Sequence, residues 1–169
     1  QLQDSRKDYT MFFSLIDKID ELHPGESIVA TKSLAMAEEY LRDHFPKFPV
    51  MPGVLMIEAM TQASAWLIRA TEGFTHSVVV LKETRNVKFG QFLQPGQTMV
   101  VTSKIVSDSE TETVFKAQGA IEGQVRIRAQ LTLAKYNLAD INKHQGALDS
   151  KMVNALKEEL MLLWPEYQL

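Results

Sequence analysis

"PGVLMIEAMTQASAWLIRATEG", residues 52–73, is the stretch on which the fold turns. It opens on proline and glycine, runs through strong helix formers with no internal breaker, and closes on Gly73, the residue type best suited to stop a helix. Apolar side chains fall on nearly every side of the projected helix, which predicts burial on most of its faces. Residues 53–70 would span about 27 Å, enough to cross a bilayer. Glu58, Gln62 and Arg69 would each be costly in hydrocarbon, so the segment is read as a helix buried inside a protein domain.

Downstream, "HSVVVLKE" (76–83), "TMVVTSKIVSDS" (98–109), "ETVFKAQGAIEG" (112–123) and "QVRIRAQLTLAKY" (124–136) are rich in β-formers. Two of them alternate in part, as strands covered on one face do. "LQPGQ" (93–97) and the region of Gly123 predict turns. Upstream, "HPGES" (23–27) separates two further candidate strands, near 14–20 and 27–34. One long buried helix among antiparallel strands is an α+β pattern. The tail, 138–169, predicts a helix with an apolar stripe at Met152, Val153, Leu156, Leu160 and Leu163, stopped by Pro165 and capped at its start by Asp149 or Ser150. The expected organisation is one domain over 1–137 and a helical extension over 138–169, packed on that domain or on a neighbouring subunit.

The chain has 169 residues, of which 45% are hydrophobic, enough to build a core. The formal net charge is −3, which argues against a general nucleic-acid binder. Cysteine is absent, so disulfides, thiolate metal sites and cysteine nucleophiles are excluded. His23, His76 and His144 have no ligand-like spacing and are expected at the surface; no metal is expected. "QLQDSRKDYT" (1–10) carries no hydrophobic signal region, and a cytoplasmic location is expected.

Glu58 is the anomaly of the buried helix. Its neighbours one turn away are Val54, Leu55, Thr61 and Gln62, none of them a cation. A carboxyl group there must be hydrogen-bonded or kept protonated, and a protonated acid near neutral pH is a proton donor. His44 stands fourteen residues earlier, in a loop pinned by Pro46, Pro49 and Pro52, and imidazole is suited to general-base work. Between them, Gly53 opens the helix, where first-turn N–H groups are unpaired and a ligand can approach the backbone. A base, an acid and a backbone donor are what proton abstraction beside a carbonyl, followed by loss of a leaving group, requires. Val54, Leu55, Ile57, Met60 and Trp66 read first as core.

"HFPKFPVMPGVLMIEAMTQ" (44–62) resembles the active-site motif of the FabZ-type 3-hydroxyacyl-(acyl-carrier-protein) dehydratases. "LHPGESIVATKSL" (22–34) and "NVKFGQFLQPGQTM" (86–99) resemble further parts of that family, so the likeness covers roughly 10–137. It implies a hot-dog fold, an antiparallel sheet wrapped around one long central helix, with the C-terminal helix as an addition. It implies dimers or trimers of dimers with active sites at the subunit interface, and no cofactor. By motif match, His44 is the catalytic base and Glu58 the acid, supplied by the neighbouring subunit. The Gly53 N–H holds the thioester carbonyl, and Gln62 supports the acid. The substrate would be a 3-hydroxyacyl chain on acyl carrier protein, with Lys82, Arg85 and Lys88 as candidate carrier contacts and Arg42 and Lys47 beside them. A hot-dog enoyl-CoA hydratase, an acyl thioesterase, or a non-catalytic carrier-protein-binding subunit are the competing functions. The chain departs from the pattern at "RKDYTMFF" (6–13), at Lys47, at Val80 and Leu81 where an aromatic pair is usual, at Gly90 and Gln91, and in its tail. An altered acyl preference is expected from the replaced aromatic pair.

Overall fold

Pro52 cannot donate a backbone hydrogen bond, but its carbonyl can accept, and it takes the N–H groups of Leu55 at 2.9 Å and Met56 at 3.1 Å. That starts the central helix, α2, Gly53–Glu72, in the computed structural model, which describes residues 13–166. Gly73 ends it in the left-handed conformation (φ 60°), its N–H returning to the Arg69 carbonyl. Met56, Ala59, Met60, Ala63, Leu67 and Ile68 are buried along it. Full burial of side chains such as Met60 or Leu67 contributes about 2 kcal/mol each.

The helix lies against a six-stranded antiparallel sheet: β1 Lys18–His23, β2 Ser27–Ser33, β3 Val78–Phe89, β4 Thr98–Asp108, β5 Glu112–Ile121 and β6 Gln124–Tyr136, in the spatial order β1-β2-β4-β5-β6-β3. This is the hot-dog arrangement. Alternate residues of β4 and β5, including Met99, Val101, Phe115 and Ile121, face the helix. Ser64 meets Ser103 of β4 at 2.7 Å and donates to the Met60 carbonyl, so these two hydroxyls buried between helix and sheet are satisfied. β5 and β6 are joined through Glu122 (φ 53°) and Gly123 (φ 76°), the positive pair of a tight hairpin turn.

Three boundaries differ from the sequence expectation. The first strand begins at Lys18 rather than near residue 14, because the Leu15 N–H is taken by the Gln62 side chain on α2 instead of by a neighbouring strand. β3 runs past residue 83 to Phe89; Asn86 adopts φ 53° and the register shifts between Arg85 and Lys88, so the strand survives the break its composition suggests. The tail helix, α4, is Gly146–Leu163, so Asp149 and Ser150 lie inside it and do not cap it. Ser150 donates back to the Gly146 carbonyl. Asp149 instead accepts from the backbone N–H groups of Leu138 (2.8 Å) and Ala139 (2.9 Å), at the start of the short helix α3, Leu138–Ile141, and from the Ser77 hydroxyl. Burial pushes the Asp149 carboxyl up, but the Ser77, Ala139 and Leu138 hydrogen bonds outweigh it and hold the group below its ordinary value. Leu156, Leu160 and Leu163 of α4 join the main apolar cluster. The departing stretch at residues 6–12 lies outside the described residues.

Val54 is the exception to the predicted core: it is 72% exposed, while Met60 and Trp66 are buried and Leu55 and Ile57 partly so. His76 also differs from expectation. It is mostly buried, with Nδ1 2.8 Å from Glu72, whose other oxygen pairs with the buried Lys135. Lys135 bonds Asp108 as well, at 2.8 Å.

Candidate active site

The loop carrying His44 is tied down at both ends. Upstream, the buried Lys32 of β2 donates to Glu38 at 2.7 Å, and Glu38 accepts from the Tyr40 hydroxyl. Tyr40 begins the one-turn helix α1, Tyr40–Asp43, and His44 follows directly. Downstream, the Met51 N–H donates to the Leu93 carbonyl at 2.8 Å. Between these anchors Phe45 takes φ 48° and closes a turn with Phe48. The His44 ring, partly buried, stands edge-on to Phe45 with centroids 4.4 Å apart. With Phe45, Phe48, Val50 and Phe92 it lines an apolar cavity of about 220 Å³.

Gly53 meets Phe92 of that cavity's wall. A β-carbon at this position would lie 2.9 Å from the Phe89 ring and 3.2 Å from that of Phe92. The two rings, 5.6 Å apart, therefore close down on the first turn of α2 as only glycine allows. The Gly53 N–H makes no hydrogen bond within the described residues, and it sits at the positive end of a twenty-residue helix. It is a donor ready for an acceptor.

Glu58 is half-buried on the same helix. Gln62 donates from Nε2 to Glu58 Oε1 at 3.1 Å and to the Phe13 carbonyl at 2.8 Å, while its Oε1 accepts the Leu15 N–H at 2.8 Å. The amide thus fastens residues 13–15 to the helix and orients the acid. Glu58 opens onto a second cavity, of about 420 Å³, bounded by α2, the start of β3 and α4, with Val80 and Leu81 in its wall. Within one chain, then, His44 lines one cavity and Glu58 and Gln62 line another, while Gly53 is linked to the first through Phe92.

The candidate carrier contacts are dispersed. Lys82 pairs with Glu112, and Arg85 with Glu83 at 3.0 Å. Lys88 has no ion pair among the described residues and shares the outer face of the sheet with Lys104, Lys116 and Arg128. Arg42 and Lys47 are exposed on the His44 loop. Sequence reasoning missed Phe89 and Phe92, whose three-residue spacing in "FGQF" carries little signal by itself, and Arg69, noted only as costly in a membrane. No group of three or more metal-ligating side chains gathers among the described residues, and none of their helices is long and apolar enough to cross a membrane.

Residues 9–130 match the family model described as a FabA-like domain. The chain is 38% identical over 117 residues to the 3-hydroxyacyl-(acyl-carrier-protein) dehydratase FabZ of Lactobacillus helveticus, covering 69% of this chain and 79% of that protein. It is 35% identical over 136 residues to the FabZ of Lactiplantibacillus plantarum, covering 80% of this chain and 86% of that one. Among solved structures, the dehydratase heterocomplex ApeI:P from Xenorhabdus doucetiae superposes with a TM-score of 0.64 at 15% identity, over 78% of this chain and 89% of the other. A Streptococcus mutans protein bound to acetyl CoA superposes at 0.56, also with 15% identity, over 77% and 95%. At such identities the structural likeness speaks for the fold alone.

Proposed function

The chain belongs to the FabA-like family as a FabZ-type dehydratase of 3-hydroxyacyl carrier-protein thioesters, and we propose that it eliminates water by acid–base chemistry divided between two copies of itself. The substrate's thioester carbonyl accepts a hydrogen bond from the Gly53 N–H. His44 removes the proton from the carbon beside that carbonyl, and the negative charge that develops on the oxygen is held at the helix terminus. Glu58 of a second copy, protonated at the outset, passes its proton to the departing 3-hydroxyl. The carbon–oxygen bond breaks, water leaves, and a trans-2-enoyl thioester remains. His44 then returns its proton through solvent as Glu58 is reprotonated.

The free Gly53 N–H, roofed by Phe89 and Phe92 beside the His44 cavity, is the observation that carries this mechanism. The separation of Glu58 onto another cavity supports a composite site, hence a homodimer or a trimer of dimers. The acyl carrier protein meets the exposed cations, and both it and the enzyme work in the cytoplasm. No cofactor enters these steps.

Turnover of 3-hydroxyacyl carrier protein by wild type, His44→Ala and Glu58→Gln tests the assignment, following both enoyl thioester and free thiol. Each substitution lowers enoyl formation by at least about 100-fold, the lower range for loss of a general acid or base. A near-normal rate in either variant removes that residue from the mechanism, and thiol release in place of enoyl formation makes the protein a thioesterase.

A further inference from the structure

Two buried polar atoms in the wall of the Glu58 cavity have no hydrogen-bond partner among the described residues. The Thr61 hydroxyl and the Arg69 Nε are buried without a hydrogen bond. The Arg69 guanidinium lies over the Trp66 ring, 5.0 Å from its centroid, and makes no ion pair among the described residues. One face is thus covered by an aromatic ring while its edge donors stay free. Burial pulls the Arg69 pKa down to about 10, against the opposing pull of Glu159; an acceptor bound there would relieve that cost.

Arg69 follows Glu58 by eleven residues on the same helix, so their backbones stand about 16 Å apart along its axis. α4 lines the same cavity and contributes Leu156 and Glu159. Glu159 lies close enough to influence Arg69, yet no hydrogen bond or ion pair joins them. A donor-only guanidinium and an acceptor-only carboxylate therefore line one cavity from two helices. A methyl group leaves both unsatisfied. A carboxylate suits Arg69 but meets the charge of Glu159. A hydroxyl both accepts and donates, and it satisfies the pair.

The geometry points to a specificity site within the Glu58 cavity, in which Arg69 and Glu159 bind a hydroxyl group at the distal end of the acyl chain. The inference rests on the dehydratase reading for the nature of the ligand, and the altered wall at Val80 and Leu81 belongs to the same cavity.

Binding and turnover are measured separately. Acyl-pantetheine analogues lacking the 3-hydroxyl, so unable to react, are prepared over a length series with methyl, hydroxyl or carboxylate ends and titrated by calorimetry. At the best length, the hydroxyl-ended analogue binds about tenfold or more tighter than the methyl-ended one, the scale of a hydrogen bond to a charged group. Arg69→Leu removes that preference. Glu159→Gln, at the cavity rim, keeps the fold and improves carboxylate-ended binding relative to wild type. Equal affinity for methyl and hydroxyl ends in wild type overturns the site whatever the variants do, and so does absence of binding by every analogue. A hydroxyl preference in a protein that fails to dehydrate any 3-hydroxyacyl carrier would leave this site standing and sink the dehydratase mechanism instead.

Discussion

A β-carbon on Gly53 would stand 2.9 Å from Phe89 and 3.2 Å from Phe92, and both contacts are with ring edges that can turn aside. Gly53→Ala is therefore expected to fold, at the cost of displacing the rings that cover the proposed carbonyl-binding N–H. Its kcat/KM is expected to fall about tenfold or more, as small misplacements at a reacting centre do, with little change in thermal midpoint. An unchanged kcat/KM would show that the ring pair is not what shapes this site. As candidates, His44, Gly53 and Glu58 stand out in the sequence because a buried acid, a proline-pinned histidine and a helix-opening glycine are each unusual, and their spacing makes them jointly specific. Val54 was not legible: an apolar side chain at a helix start looks like core until its surroundings are known. The triple role of Gln62 was equally hidden, since it depends on Phe13 and Leu15, 49 and 47 residues away.

At the level of elements, the tail shows most clearly what pattern reading captures and what it misses. The apolar stripe of α4 was plain from its spacing, and Leu156, Leu160 and Leu163 enter the main cluster. The role of Asp149 was not, because a capping residue is recognised by local sequence and this one serves the start of another helix. Its carboxyl is held below the ordinary value, so its contribution to stability is present above about pH 4 and is lost as pH falls through the lower folded value. Asp149→Asn is thus expected to be less stable than wild type at neutral pH, with the gap narrowing in acid. Urea unfolding of both proteins across pH 3–7 measures it, and a gap that stays constant with pH would mean that the charge contributes nothing. β3 makes a similar point: its continuation through Asn86 is imposed by pairing with β6, which local propensity does not reveal.

On the scale of the whole molecule, the α+β order of one helix among antiparallel strands could be read from segment patterns, whereas the proposed division of the site between two subunits follows only from the family resemblance. That division yields a direct test of composite assembly. Co-expressing His44→Ala with Glu58→Gln gives mixed dimers in which one of the two sites has both groups intact. Random pairing of subunits returns about a quarter of wild-type activity, as follows from two-fold symmetry. A mixture no more active than its parents would place the acid and base of each site on one chain. The latch from Asp149 to Ser77 and α3 has a broader consequence. The proposed base, acid and carbonyl donor all lie within residues 44–58, while part of the wall of the Glu58 cavity is brought in by a separate helix, Gly146–Leu163. Such a chain is modular in inheritance: drift or exchange of the tail can retune which acyl groups are admitted while the reaction performed on them passes on unchanged.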